Sequence, residues 1–221
     1  LALRLRTLEL PLRDPFVIAR AQPGEGRWIT TVVAELRDEA DGPDGHVGLG
    51  EGYPDEYYGD TPATMAAVAP LLLEALAVIE SDLRGGVDDV RAALEDAEGL
   101  MTAAIGHHGA IKCAIDIALH DLAGKRLGLP VRELIDLPGT IPPTDFTLGI
   151  DAPAVVAERA RRAAGYPALK IKVGGPSDME TLEAVRGVFA GPIRVDANTG
   201  WTPEVALALL PDLERLGVEL I

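Results

Sequence analysis

From Pro143 onward the chain repeats one unit. Strand-like segments run over Thr144–Ile150, Ala168–Gly174, Ile193–Thr199 and Val218–Ile221, with starts 24, 25 and 25 residues apart. Three are followed by amphipathic helical stretches, Ala152–Ala164, Asp178–Phe189 and Pro203–Leu216. So short and regular a period predicts parallel strands with covering helices. Doubly wound sheets and (β/α)8 barrels both satisfy it, and periodicity does not choose between them.

The first half is organised differently. Leu1–Leu10 and Trp28–Arg37 read as strands; in the second, Thr31, Val33 and Glu35 alternate with Val32, Ala34 and Leu36. After the Gly/Asp/Pro turn Asp38–Gly45, His46–Glu51 returns as the third strand of a meander. Pro11–Gly26 reads as a loop carrying an exposed Arg20. Thr61 before Pro62 predicts an N-cap and first helical residue for a run to about Leu83. Val87–Ala97 is a second helix and His108–Leu127 a third, with Ile111, Ala114, Ile115, Ala118 and Leu122 on one stripe and Gly128 beyond its end. The expected organisation is an α+β domain over 1–127 and a (β/α) domain over 128–221. The chain begins on Leu1 and ends inside the fourth strand, GVELI, so it is expected to be a piece of a longer one.

One tripeptide stands out. The chain has 20 basic side chains, of which four are lysines (Lys112, Lys125, Lys170, Lys172), leaving sixteen arginines. Half of the lysines therefore sit in the segment ALKIKVGG. Residues i and i+2 of a strand share a face, so Lys170 and Lys172 point one way and Leu169, Ile171 and Val173 the other. In a parallel barrel one strand face meets the helices and the other fills the interior, with active sites at the carboxyl ends of the strands. Arg194, Asp196 and Asn198 would then share the interior of the next strand, and Thr147 that of the strand before. Thr147, Lys170, Lys172, Asp196 and Asn198 come to one region on this reading.

A buried ion network, with Asp196 neutralising Lys172 and Arg194 as a further partner, is the competing account. Such networks are costly and rarely improve on an apolar core, and two lysines against one carboxylate leave charge unpaired. The chemical account is direct. Burial and a neighbouring ammonium both favour a neutral amine, and an amine neutral near pH 7 is a general base. An aspartate is a hard oxygen donor suited to Mg²⁺. A base beside a divalent cation is what proton abstraction alpha to a carboxylate requires.

The segments LKIKVGG and RVDANTGW, with AIDIALHDLAGKRLGLPV and GLGEGYP before them, resemble the enolase superfamily. The likeness is to its muconate-lactonising branch and most of all to the dipeptide epimerases. It covers essentially the whole chain. The resemblance implies an amino-terminal α+β capping domain followed by the first half of a modified (β/α)7β TIM-type barrel. It also implies Lys172 as the base on one face of the substrate, and Lys170 as the neighbour that tunes it and contacts the substrate carboxylate. Asp196 would be the first Mg²⁺ ligand, Asn198 would order the lysines, Thr147 would line the pocket, and Arg20 would pair with an acidic substrate side chain. Family members carry a second metal ligand just after a stretch like VELI, a third carboxylate on the following strand and an opposing lysine on the sixth. None falls within the 221 residues, so this segment alone is expected to be incomplete for catalysis.

The expected reaction is Mg²⁺-dependent abstraction of an alpha proton from a carboxylate through an enediolate, as in epimerisation of an L-Ala-D/L-Glu type dipeptide. N-acylamino-acid racemisation, cycloisomerisation and o-succinylbenzoate synthesis stay open within the superfamily. Outside it stand a metal-free Schiff-base lysine aldolase and a non-catalytic fragment. The expected partners are a small carboxylate, possibly a dipeptide, and a second copy of the chain. A net charge of −15 argues against nucleic acid and anionic membrane. The absence of an 18-residue wholly apolar run, and a lone cysteine, fit a cytoplasmic protein. Cys113 is expected to be inert core. Asp116 and His120, at helical spacing with Lys112, read as a polar stripe. His107-His108 reads as capping or surface, Gly174–Ser177 as a βα turn, and Asp55, Glu56 and Asp60 as a solvated acidic loop.

Overall fold

Three glycines set the geometry of the first half. The computed structural model describes residues 1–21 and 25–221, so Gln22–Gly24 of the expected loop lie outside the described residues. Strands β1 (Ala2–Pro11), β2 (Trp28–Arg37) and β3 (Val47–Gly52) form a sheet in that order, with β2 and β3 antiparallel and Ala34 opposite Gly50. Helix α1 (Pro62–Leu76) opens on the expected cap: Thr61 Oγ1 accepts the Thr64 N–H at 3.0 Å and Thr64 Oγ1 accepts the Thr61 N–H at 2.8 Å. Its α register ends at Leu76 rather than near Leu83. Two 3₁₀ turns, Ala77–Ile79 and Asp82–Arg84, carry the apolar run on and still bury Ile79 and Leu83. Helix α2 (Val87–Ala104) outlasts the expected Ala97, because its buried stripe of Val90, Ala93, Leu94 and Ala97 continues to Met101.

Helix α3 (Gly109–Leu127) lies on the glycine face of β3. A Cβ at Gly48, Gly50 or Gly52 would come within 2.0, 1.9 or 2.2 Å of the carbonyl oxygens of Ala118, Ala114 and Ala110. Glycine every second strand residue thus meets a helical backbone every fourth residue. The same helix covers the strand edge: Asp121 accepts the Leu49 N–H at 2.7 Å and Lys125 donates to the Val47 carbonyl at 2.7 Å. Cys113 is a correction. Its stripe neighbours Ile111, Ala114 and Ile115 are wholly buried, which turns Cys113 outward, and it is exposed. Asp60 is another: it is 6% exposed, and it caps α3 by accepting the Ala110 N–H at 3.1 Å. Its neighbour His108 has φ 55 and sits 3.6 Å from Asp60. The segment Pro62–Ile79, with mean hydropathy 1.9, meets the length and composition of a membrane span. Here its Met65, Leu72 and Leu76 belong to the core of the first unit.

Asp38 is, with Asp60, a buried carboxylate of this unit. Arg84 donates to it through Nε at 2.6 Å and Nη2 at 2.8 Å, Arg126 through Nη1 at 3.2 Å, and the Ala40 N–H at 3.0 Å. The Arg84 hydrogen bonds outweigh burial and hold its carboxyl at about 2, below the ordinary aspartate value of 3.8. A depressed carboxylate stabilises the fold above its unfolded pKa and loses that contribution as pH falls through the folded one. We expect about 2 kcal/mol to disappear between pH 5 and pH 2. Urea unfolding across that range should show it, and Asp38→Asn should be weaker at pH 6 with a flatter acid limb.

In the second half, β4 (Asp145–Leu148), β5 (Ala168–Lys172), β6 (Ile193–Asp196) and β7 (Val218–Leu220) form a parallel sheet in that order. Counting α4 (Val131–Leu134), a short helix not foreseen in the sequence, the intervening helices are α5 (Pro153–Arg162), α6 (Asp178–Arg186) and α7 (Pro203–Arg215). Leu169, Ile171 and Val173 are all 0% exposed and pack with Val156, Leu182 and Val185 of α5 and α6. Each such side chain is worth about 1.5–3 kcal/mol of burial, which fixes the face the lysines must take.

Contacts divide the chain into Leu1–Leu10 with Thr30–Thr140, and Pro11–Ile29 with Ile141–Ile221. The seam lies beyond the expected 127/128 position. Leu134 of α4 is buried in the first core, and Arg91 of α2 holds the Leu134 carbonyl at 2.6 Å. The loop between β1 and β2 groups with the parallel sheet. Val17 accepts the Ile150 N–H at 2.8 Å, and Arg162 holds Asp14 at 2.9 Å.

Candidate active site

Parallel register brings the site together. Thr147 lies opposite Lys170, Lys170 opposite Arg194, and Lys172 opposite Asp196. Lys170 and Lys172 both reach Oδ2 of Asp196, at 2.9 and 2.8 Å. Lys172 also donates to Asn198 Oδ1 at 2.7 Å, while the Asn198 N–H donates to Asp196 Oδ1 at 2.9 Å. Lys172 is 9% exposed, whereas the Lys170 side chain keeps 34% of its surface. One ammonium is enclosed and its neighbour is partly open to solvent.

Burial opposes ionisation of Asp196. The hydrogen bonds from Lys172, Lys170 and the Asn198 N–H outweigh it and hold the carboxyl well below the usual carboxylate range. The site therefore carries a fixed carboxylate between two amines. Asn198 has φ 44 and Thr199 φ 68, left-handed values uncommon outside glycine. Strain of this kind persists where the surroundings over-determine it, and here it aims the Asn198 amide back at Lys172.

Arg194 corrects the expected ion network. It does not join Asp196; it bridges Asp145 at 3.1 Å and Glu219 at 2.8 Å. The separate ladder across β4, β6 and β7 leaves Asp196 to the lysines. Phe16 was not singled out from sequence. Its ring centroid lies 5.9 Å from Lys172 Nζ, contributed by the loop between β1 and β2. Arg20 lies in the same loop, one residue from Ala19, toward which Gly174 and Gly200 present their Cβ-less faces. Asp116 and His120 face each other at 3.6 Å on α3, as a polar pair.

The donor chemistry of Asp196 suits a hard cation, but the count does not complete a site. Both of its oxygens already accept hydrogen bonds. Among the described residues no group of three His, Cys, Asp or Glu is placed to hold a metal.

A parallel βα sheet with Lys170 and Lys172 on one strand beside Asp196 at the end of the next and Asn198 in the turn after it, preceded in sequence by a meander and helices, defines an α/β class of protein. Residues 4–136 match the family of mandelate racemase / muconate lactonizing enzyme N-terminal domains, and residues 154–221 match the enolase C-terminal domain-like family. The chain belongs to the mandelate racemase / muconate lactonizing enzyme family of the enolase superfamily.

An L-Ala-D/L-Glu epimerase from Bacteroides thetaiotaomicron is 44% identical over 115 residues, covering 51% of this chain and 30% of that protein. An L-Ala-D/L-amino acid epimerase from Pedosphaera parvula is 34% identical over 210 residues, covering 91% and 55%. The crystal structure of a dipeptide epimerase from Enterococcus faecalis V583, complexed with Mg and L-Leu-L-Tyr, superposes with a TM-score of 0.75 at 29% identity over 99% of this chain and 59% of that one. The chain thus matches between 30% and 59% of the length of these relatives. The expected fold class, α+β unit plus partial barrel, is the one found.

Proposed function

We propose that the protein containing this chain abstracts the alpha proton of a carboxylate substrate, with a dipeptide of the L-Ala-L-Glu kind as the substrate class. The observation that carries the reading is the enclosed Lys172, held at 2.8 Å from Asp196 and 2.7 Å from Asn198 at the carboxyl ends of adjacent strands. Epimerase relatives bearing three different dipeptide descriptions support the reaction class more strongly than the side chain of the second residue.

In this reading Lys172 takes the alpha proton on Nζ. The pair to Asp196 and Asn198 orients that nitrogen, and Phe16 helps to exclude water from it. Lys170, more open to solvent, meets the substrate carboxylate and offsets charge as it develops. Thr147, opposite Lys170, lines the pocket. Arg20 pairs with an acidic side chain on the substrate. Asp196 offers one carboxylate to a divalent cation such as Mg²⁺. When bound, that cation supplies positive charge opposite a growing dianion.

Incubation of the full-length protein with a dipeptide panel in D₂O and Mg²⁺, followed by NMR, tests the reading; no alpha-proton loss from any member defeats it. Metal removal is the companion prediction. Chelation by EDTA and Asp196→Asn should each lower exchange by on the order of 10²–10³-fold, and added Mg²⁺ should restore the chelated wild type alone. Exchange that survives EDTA, with borohydride trapping of substrate on a lysine, would instead select a Schiff-base reaction.

A further inference from the structure

Asp178, the first residue of α6, accepts three hydrogen bonds that no reading above uses. The Gly174 N–H donates to Oδ2 and the Gly175 N–H to Oδ1, each at 2.9 Å, and the Trp201 indole Nε1–H donates to Oδ2 at 2.8 Å. The first two come from the turn that follows Lys172. The third comes from the turn that follows Asn198. One carboxylate therefore ties together the two chain reversals that carry the halves of the site.

The turns also touch directly. A Cβ at Gly174 would lie 3.2 Å from Gly200 Cα, and a Cβ at Gly200 would lie 2.9 Å from Gly174 Cα. Between Asn198 and Trp201 runs the left-handed pair Asn198–Thr199, a backbone state that needs outside support. An open cleft of about 350 Å³ is lined by the indole with Leu209 and Met179. The ring faces that cleft, and the bond to Asp178 fixes its nitrogen.

We propose that the Asp178–Trp201 pair is a positioning device. It holds the strained turn after β6 against the turn after β5, and so keeps Asn198 Oδ1 on Lys172 Nζ. This rests on the reading of Lys172 as the base. An aspartate that merely closes the βα turn would explain the two glycine bonds and would give the indole bond no role in the reaction.

Trp201→Phe separates these accounts. It removes the indole donor and leaves both glycine bonds to Asp178, so the turn after β5 stays tied to the start of α6. In the full-length protein, kcat for alpha-proton exchange should fall about 10-fold, short of the 10²-fold that a misplacement near 1 Å can cost, with KM changed less than about twofold. The Asn198 side-chain amide signals should shift or broaden in a ¹H–¹⁵N spectrum recorded without substrate. Asp178→Ala, which removes the acceptor of the indole bond, should show the same two changes should the phenylalanine variant fold poorly.

Unchanged kcat and unmoved Asn198 signals in both variants, with only a lower melting temperature, would overturn the proposal. Lys172→Ala measured in parallel keeps the two ideas apart. Wild-type-like exchange from both epimers after that change defeats the base assignment, while the Asn198 signals of the Trp201 variant, in which Lys172 is kept, report on the tie.

Discussion

Lys172→Ala in the full-length protein is expected to lower substrate alpha-proton exchange by about 10²–10⁴-fold, the range for loss of a positioned general base. Folding should be kept. Asp196 retains Lys170 at 2.9 Å and the Asn198 N–H at 2.9 Å, so no carboxylate is stranded. Lys172→Arg sharpens the result. A guanidinium preserves positive charge beside Asp196 but cannot act as a base near neutral pH. Comparable loss in both variants identifies proton transfer as the function of the nitrogen. Exchange near the wild-type rate in the arginine variant would mean that charge alone is needed, and the ion-network account would be preferred. Kinetics should be read as kcat and kcat/KM separately, because Lys170 can sustain carboxylate binding on its own.

The largest stability effect is expected in the first unit. Gly50→Ala would drive a methyl group to 1.9 Å from the Ala114 carbonyl oxygen. The obstacle is helix backbone, so no side-chain rotation can relieve it, and α3 must lift from the sheet. Overpacking usually costs about 1–3 kcal/mol; here we expect roughly 3 kcal/mol or failure to fold. Gly99→Ala is the opposite case. Gly99 lies within α2, exposed, with nothing within 4 Å of a new Cβ. It should stabilise by about 0.5–1 kcal/mol through backbone entropy. Denaturant unfolding of the two variants should give opposite signs, and equal signs would mean that the helix–sheet spacing is not what the glycines maintain.

Much of the site was readable because its signal is local. The alternation of Lys170 and Lys172 with Leu169, Ile171 and Val173 assigns the two faces of β5 without any tertiary knowledge. The 24–25 residue period predicts that the neighbouring strands are parallel, while their register came from the structure. Asp178 was less readable. An aspartate two residues beyond a Gly-Gly-Pro is a common helix start, and nothing local says that a tryptophan 23 residues on will share its carboxylate. Phe16 was hidden for a similar reason, since it lies in a loop before the whole α-helical half and reaches Lys172 through space. Cys113 and Asp60 were misread because one residue of helical phase, or one capping contact, separates a buried side chain from an exposed one.

By itself the sequence determined the order of the main strands and helices, though not every boundary or the short α4. It also determined which face of the lysine-bearing strand is apolar, and that two lysines and an aspartate share a face of adjacent strands. Those outcomes depend on periodicity and side-chain chemistry within about 25 residues, which the chain carries whatever its distant partners. Tertiary structure decided which carboxylate each cation meets: Arg194 went to Asp145 and Glu219, both lysines went to Asp196, and Asp178 went to the indole. Ion pairs and shared hydrogen bonds form between any complementary groups that packing brings within about 3 Å, so their partners are settled when the strands and turns close on one another.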